Sequence, residues 1–198
     1  RKKKLEKYIK IDGLENLEKI KINKEPTVFI SGHFNNFELM AMIIEREGID
    51  LFAIYRPLNN KFLNTIMEYL RKKYICKNQI EKGLKGVREA LAFFKKGKSL
   101  AIMIDQRVTE GISSKFFGNN AFTTTIPAQF VKKFNCNIQP VYIERINDVH
   151  FKIIFDRQLE FSNEQSIDNI TERLNRWLEE KIMKNPEQWI WTHDRWRR

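Results

Sequence analysis

The sequence predicts a single α/β domain: a mixed, mostly parallel central sheet flanked by helices. Three observations lead there. From residue 28 onward, short apolar runs alternate with amphipathic segments, the pattern of strand–helix units in a partly parallel sheet. The 198 residues, 42% of them hydrophobic, suffice for one sizeable core and argue against disorder. Polar clusters follow three of the apolar runs directly, and open α/β sheets bind ligands outside the carboxyl ends of their strands.

The opening "RKKKLEKYIKIDGLENLEKI" is a basic lead-in to a short helix-like stretch. Val28-Phe29-Ile30 starts a buried strand over 28–31. Residues 36–47 follow as a helix, with Leu39, Met40, Ile43 and Ile44 on its inward stripe. "LFAIY" gives a strand over 51–55, and 61–72 the next helix. A helix over 81–96 leads into the strand "SLAIMI", residues 99–104. Gly118 serves a turn. Thr123, Thr124 and Thr125 precede Ile126-Pro127, and proline suits the first helical turn, so 126–134 reads as a helix. Strands over 138–144 and 151–155 come next. The helix over 166–183 packs through Leu174, Trp177, Leu178 and Ile182, and Pro186 closes it. The tail "PEQWIWTHDRWRR" is aromatic and basic. With no repeat, low-complexity segment or long linker, the whole span 1–198 is one domain.

A formal net charge of +11 calls for a negative partner: nucleic acid, an anionic membrane surface, a phosphorylated lipid or an acidic protein. A basic nucleic-acid-binding module is the competing reading of another class. No zinc-finger or RNA-recognition motif accompanies the charge, which is spread along the chain. No apolar run approaches the roughly 20 residues that span a bilayer, and no signal peptide is visible. The chain opens on Arg1 rather than methionine, so we expect a fragment, with a membrane anchor as a candidate for what precedes it. Cys76 and Cys136 lack metal-ligand spacing and fit a reducing compartment.

The three polar clusters are Ser31-Gly32-His33, Tyr55-Arg56-Pro57 and Asp105-Gln106-Arg107. His33 lies between a strand and a helix, and Glu38 follows five positions on. Positions five apart differ by about 140° around a helix, so the two meet only if His33 is on the turn and Glu38 in the first helical turn. Asn35 or Asn36 as a cap favours that arrangement. Glu38 would then hold one imidazole nitrogen while the other takes a proton from a substrate hydroxyl, a base and its orienter with no protein nucleophile. Amides at the helix start would stabilise an oxyanion. The bland alternative is a hydrogen-bonded loop histidine. The spacing lacks the paired histidines of zinc proteases, and no metal is expected.

Arg56 and Arg71 are candidates for gripping phosphate, against a structural ion pair or a solvated helix face. Asp105 follows a buried strand and needs a partner, for which Arg71 or Arg56 stands nearest to hand; a turn cap is the alternative. Gln106 joins this group or satisfies backbone. Trp189, Trp191 and Trp196, beside Arg195, Arg197 and Arg198, touch a lipid interface or form core up to Trp191 with a solvated stub beyond. His150 and His193 read as structural.

His33-Phe34-Asn35-Asn36-Phe37-Glu38 resembles the H-x-x-x-x-D/E signature of glycerolipid acyltransferases, with the Glu of the branch that makes lipid A. "YRPLNNKFLN" is similar to that branch's Y-R-P-x-x-N-P-x-L block, with Lys61 for proline, and Arg71 falls where the family carries another functional arginine. "KGLKGVREALAFFKKGKSLAIMIDQ" resembles its helix–strand–Asp block, and "KFFGNNAFTTTIPAQFVKKF" its F-F-G-x-x-A-x-T segment. "NPEQWIWTHDRWR" is similar to its P-E-Q-Y-x-W-x-H-R-R-F end, with Asp194 where Arg is common. Five blocks in order, from about Val28 on, resemble the late acyltransferases of lipid A biosynthesis.

That resemblance implies an O-acyltransferase. It would move a fatty acyl chain from acyl carrier protein, or coenzyme A, to a hydroxyl on an acyl chain of a lipid A precursor. It implies His33 and Glu38 as catalytic residues, and Arg56, Arg71, Asp105 and Gln106 as substrate-binding. It implies no cofactor beyond the acyl donor as co-substrate, and attachment at the cytoplasmic face of the inner membrane by an N-terminal helix. Phe116, Phe117 and Phe122 would line an acyl channel or belong to plain core. The nearest rival is acyl transfer to a lysophospholipid or a phosphoinositide mannoside. Residue 38, the YRP block and the tail speak against the lysophospholipid, and less clearly against the mannoside.

Overall fold

A computed structural model describes residues 7–197; the basic opening residues 1–6 and Arg198 of the tail lie outside the described residues. Among the described residues there are nine strands and six α-helices, alternating up to β5. They run β1 (Ile9–Asp12), α1 (Leu14–Asn23), β2 (Val28–Ser31), α2 (Glu38–Arg46), β3 (Leu51–Tyr55), α3 (Lys61–Tyr74), β4 (Asn78–Glu81) and α4 (Leu84–Lys95). Then come β5 (Ser99–Met103), β6 (Ile112–Phe116), β7 (Asn119–Thr123), α5 (Ile126–Phe134), β8 (Ile138–Asn147), β9 (His150–Phe155) and α6 (Ile167–Lys184). Seven strands form one sheet in the order β1-β9-β8-β2-β5-β3-β4. Every neighbouring pair is parallel except β8 and β9. The α/β expectation, with a mixed and mostly parallel sheet, therefore holds.

The central strands are those the apolar runs announce. All four residues of β2 are buried, as a parallel strand covered on both faces requires. Helix starts are chemically marked. Asn60 opens α3 by accepting from the amides of Phe62 and Leu63, and Ser166 opens α6 by accepting from that of Asn169. Pro127 sits in the first turn of α5. The expected Asn35 or Asn36 cap on α2 does not form. Phe37 stands at the cap without a side-chain bond, and Asn35 Nδ2 instead donates to Gln188 Oε1 at 2.6 Å.

Three pieces escape the sequence reading. β1 and β4 are four-residue strands at the two edges of the sheet, and β4 ("NQIE") buries only Ile80. β6 and β7 form a separate antiparallel hairpin. Its two-residue turn, Phe117-Gly118, has positive φ at both positions (49° and 73°), the backbone that matches the twist of the flanking strands.

Helix α6 buries Ile170, Leu174, Trp177, Leu178 and Ile182, and each such side chain contributes about 1.5–3 kcal/mol on burial. The tail departs from expectation. Trp189 is buried, but Trp191 is exposed, and further on Arg195 is wholly buried. The solvated stub after Trp191 is thus corrected: Arg195 is drawn in by the Phe122 carbonyl (2.7 Å) and the Thr123 hydroxyl (2.6 Å), and the Trp196 indole donates to the Phe116 carbonyl. Among the described α-helices, α3 alone buries none of its residues.

Candidate active site

β2 and β5 are parallel neighbours in which Ser31 faces Met103. Two residues beyond each lie His33 and Asp105, so register alone delivers the imidazole and the carboxylate to the same place. His33 Nδ1 stands 2.7 Å from Asp105 Oδ1, and the His33 amide donates to Oδ2 at 2.6 Å. The Trp189 indole donates to the same Oδ2 at 2.9 Å. Gly32 leaves room for this approach, since a Cβ there would meet Leu178 at 2.8 Å and Asp105 Oδ2 at 3.2 Å.

Asp105 is 2% exposed, and burial pushes its carboxyl up. The hydrogen bonds and charge of His33, with the Trp189 indole, outweigh burial and hold it below the ordinary aspartate range. An ionised carboxylate only accepts, so Nδ1 carries a proton, and in the neutral ring Nε2 is the nitrogen with the lone pair. The histidine side chain is 20% exposed, and Phe37 packs edge-on against the ring at 4.7 Å. Gln106, exposed, brings its amide nitrogen to 3.5 Å from Nε2.

Two sequence expectations are corrected here. Glu38 does not hold His33: its carboxylate bonds Arg71 Nε at 2.7 Å. Helix α2 begins at Glu38 itself, and the carboxylate meets the last turn of α3 while β5 supplies the acid beneath the imidazole. Asp105, expected to pair with Arg71 or Arg56 on the substrate side, is a buried partner of His33. Arg56 is exposed at the end of β3 and makes no ion pair with a described residue. Next to it the Tyr55 hydroxyl bonds Glu68 of α3.

The C-terminal segment closes the site from behind. The Asn35 amide donates to the Gln188 carbonyl, and the Ile190 amide to the His33 carbonyl, both at 3.0 Å. His193 Nε2 accepts from the Arg107 amide at 2.9 Å; burial lowers its basicity, the form this bond requires. Burial also lowers Arg195, to about 10. Sequence reasoning missed Trp189 as a site residue because its partner lies 84 positions away and no local spacing signals it. Phe116 is core, packed between Trp189 and Trp196. Phe117 lines a cavity of about 350 Å³ with Ile182, Met183, Trp191 and Trp196, and Phe122 is partly exposed. No group of metal-ligating side chains forms among the described residues, and no helix among them is long and apolar enough to cross a membrane.

The arrangement thus brings together an imidazole fixed by a buried carboxylate, a Glu38–Arg71 ion pair at the start of α2, and an exposed arginine after β3. Comparison with known proteins agrees in kind. The family described as "Bacterial lipid A biosynthesis acyltransferase" matches residues 1–198. The chain is similar to the lipid A biosynthesis palmitoleoyltransferase of Escherichia coli (strain K12), at 21% identity over 198 residues, covering 96% of this chain and 62% of that protein. It is also similar to lipid A biosynthesis acyltransferase 2 of Shigella flexneri, at 23% identity over 193 residues, covering 96% and 61%. The chain therefore spans about three fifths of the length of these relatives. In fold it is similar to the crystal structure of the 1-acyl-sn-glycerophosphate (LPA) acyltransferase PlsC from Thermotoga maritima. That match has a TM-score of 0.54 and 12% identity, and covers 92% of this chain and 74% of the other.

Proposed function

The chain belongs to the bacterial lipid A biosynthesis acyltransferase family, and from that premise we propose that it transfers a fatty acyl chain from a thioester to a hydroxyl of a lipid A precursor. The donor is acyl carrier protein or coenzyme A, and the acceptor hydroxyl sits on an acyl chain already carried by the glucosamine disaccharide. The observation that carries this reading is the His33–Asp105 pair, 2.7 Å apart, with the histidine side chain 20% exposed.

In the reaction, Nε2 removes the acceptor's hydroxyl proton as its oxygen attacks the thioester carbonyl. Asp105 stabilises the imidazolium that forms. The amides of Asn36 and Phe37 receive the oxyanion. Collapse of the tetrahedral intermediate breaks the carbon–sulfur bond, and the imidazolium returns its proton to the departing thiolate. No acyl group is held on the protein, and no cofactor takes part. Arg71, bonded to Glu38, and the exposed Arg56 are suited to the anionic groups of the substrates. Gln106 covers Nε2 until a hydroxyl replaces it. The reaction takes place at an anionic membrane surface, which in the family's setting is the cytoplasmic face of the inner membrane.

Incubation with a panel of acyl carriers and lipid A precursors, read by mass spectrometry of the product, tests the proposal. His33→Ala should lower turnover by about 10²–10⁴-fold with the fold retained. Near-normal transfer by that variant would overturn the mechanism.

A further inference from the structure

Helix α3 is amphipathic the wrong way round for a helix that packs on a core. At about 100° per residue, Phe62, Leu63, Ile66, Tyr69, Leu70 and Tyr74 fall on one arc about 140° wide. All six are exposed, Phe62 at 74%. The half-buried stripe on the other side is Asn64, Met67, Glu68 and Arg71, spaced as one helix face and mostly polar. That polar stripe is bonded inward: Arg71 to Glu38, Glu68 to Tyr55, and Asn64 Oδ1 to the Leu58 amide. The polar bonds fix which face looks out.

The charges sort with the faces. Glu68 is the helix's only acid, and it points inward. Lys73 falls within the apolar arc, near the end of the helix, while Lys61 and Lys72 lie on the flank between that arc and the polar stripe. Lys72 is half-exposed beside Glu68 at 3.9 Å, and Lys73 lies over the rings of Tyr69 and Tyr74. Leu58, just ahead of the helix, is exposed as well.

We infer that α3 is a membrane-docking helix, its Phe62–Tyr74 face seated among the acyl chains of an anionic bilayer and its lysines at the phosphate level. Lysine and tyrosine beside apolar side chains suit the lipid interface, where the stem or ring is buried and the polar tip stays wet, and Lys73 reaches out of the arc in that way. A second copy of the chain would set lysines against lysines. An acidic protein would meet the lysines but leave six apolar side chains facing its charges. The inference deepens the acyl-transfer reading, on which it rests only for the nature of the acceptor. Arg71, on the inner face of this same helix, joins Glu38, so the docking helix also carries a residue of the candidate site.

Flotation of the purified chain with phosphatidylcholine vesicles, with and without phosphatidylglycerol, reads the interaction. Wild type should bind the anionic vesicles, and Phe62→Glu/Ile66→Glu should bind them at least about tenfold more weakly with an unchanged Tm. Acyl transfer to detergent-dispersed acceptor should persist in that variant. Equal vesicle binding by wild type and variant, or no preference for the anionic lipid, would overturn the inference. So would a wild-type dimer, seen by sedimentation, that the variant dissolves. Vesicle binding without any acyl transfer would sink the enzymatic reading and leave the docking face standing.

Discussion

Asp105 and Glu38 both lie at the carboxyl end of the sheet, and the fold treats them in opposite ways. Asp105 is 2% exposed and accepts from the His33 ring, the His33 amide and the Trp189 indole. Glu38 is 27% exposed at its side chain and bonds one arginine. A buried carboxylate surrounded by donors has one geometry available, and losing a donor exposes an uncompensated charge. The Glu38–Arg71 pair keeps 27% and 22% of its side chains in water, so it is partly screened and loses less when its partner goes. The difference teaches which acid can hold an imidazole still and which keeps a looser partner.

The largest expected effect breaks the first arrangement. Asp105→Asn keeps the size but forfeits charge stabilisation of the imidazolium, and kcat should fall by about 10²–10⁴-fold. Single-turnover acyl transfer measures it. Glu38→Gln should act more gently, raising KM for the acceptor about tenfold or less while kcat holds, as expected of a group that positions Arg71. If Glu38→Gln lost more kcat than Asp105→Asn, the two roles would have to be exchanged. The smallest effect sharpens the comparison through acid. Because the folded carboxyl of Asp105 is held below its unfolded value, its stabilisation is complete above the ordinary aspartate range and is lost as the pH falls through the folded value. Urea unfolding should therefore show the stability gap between wild type and Asp105→Asn narrowing as the pH drops below that range.

Much of the frame is legible in the sequence, and the reasons are particular. β2, β3 and α5 run between the residues their patterns mark, because a fully buried strand must be apolar and Ile126-Pro127 can only begin a helix. β1 and β4 are edge strands with one buried residue each, so little hydrophobic signal marks them. Of the site, His33 follows from its position after a strand. Its partner does not, since choosing Asp105 over Glu38 needs the strand order that makes β2 and β5 neighbours. Helix α3 shows the same limit. Its period is plain, but nothing in the period says that the apolar side faces outward. That is decided by Glu68 and Arg71, which find partners on β3 and α2.

The bond from Trp189 to Asp105 joins residues 84 apart, and the one from Asn35 to Gln188 joins residues 153 apart. All seven strands of the main sheet precede them in the chain. Strand order alone can thus bring Asp105 to His33, but the indole that completes its shell comes from beyond α6. The surroundings of Asp105 are completed only when the segment after α6 folds back onto the sheet.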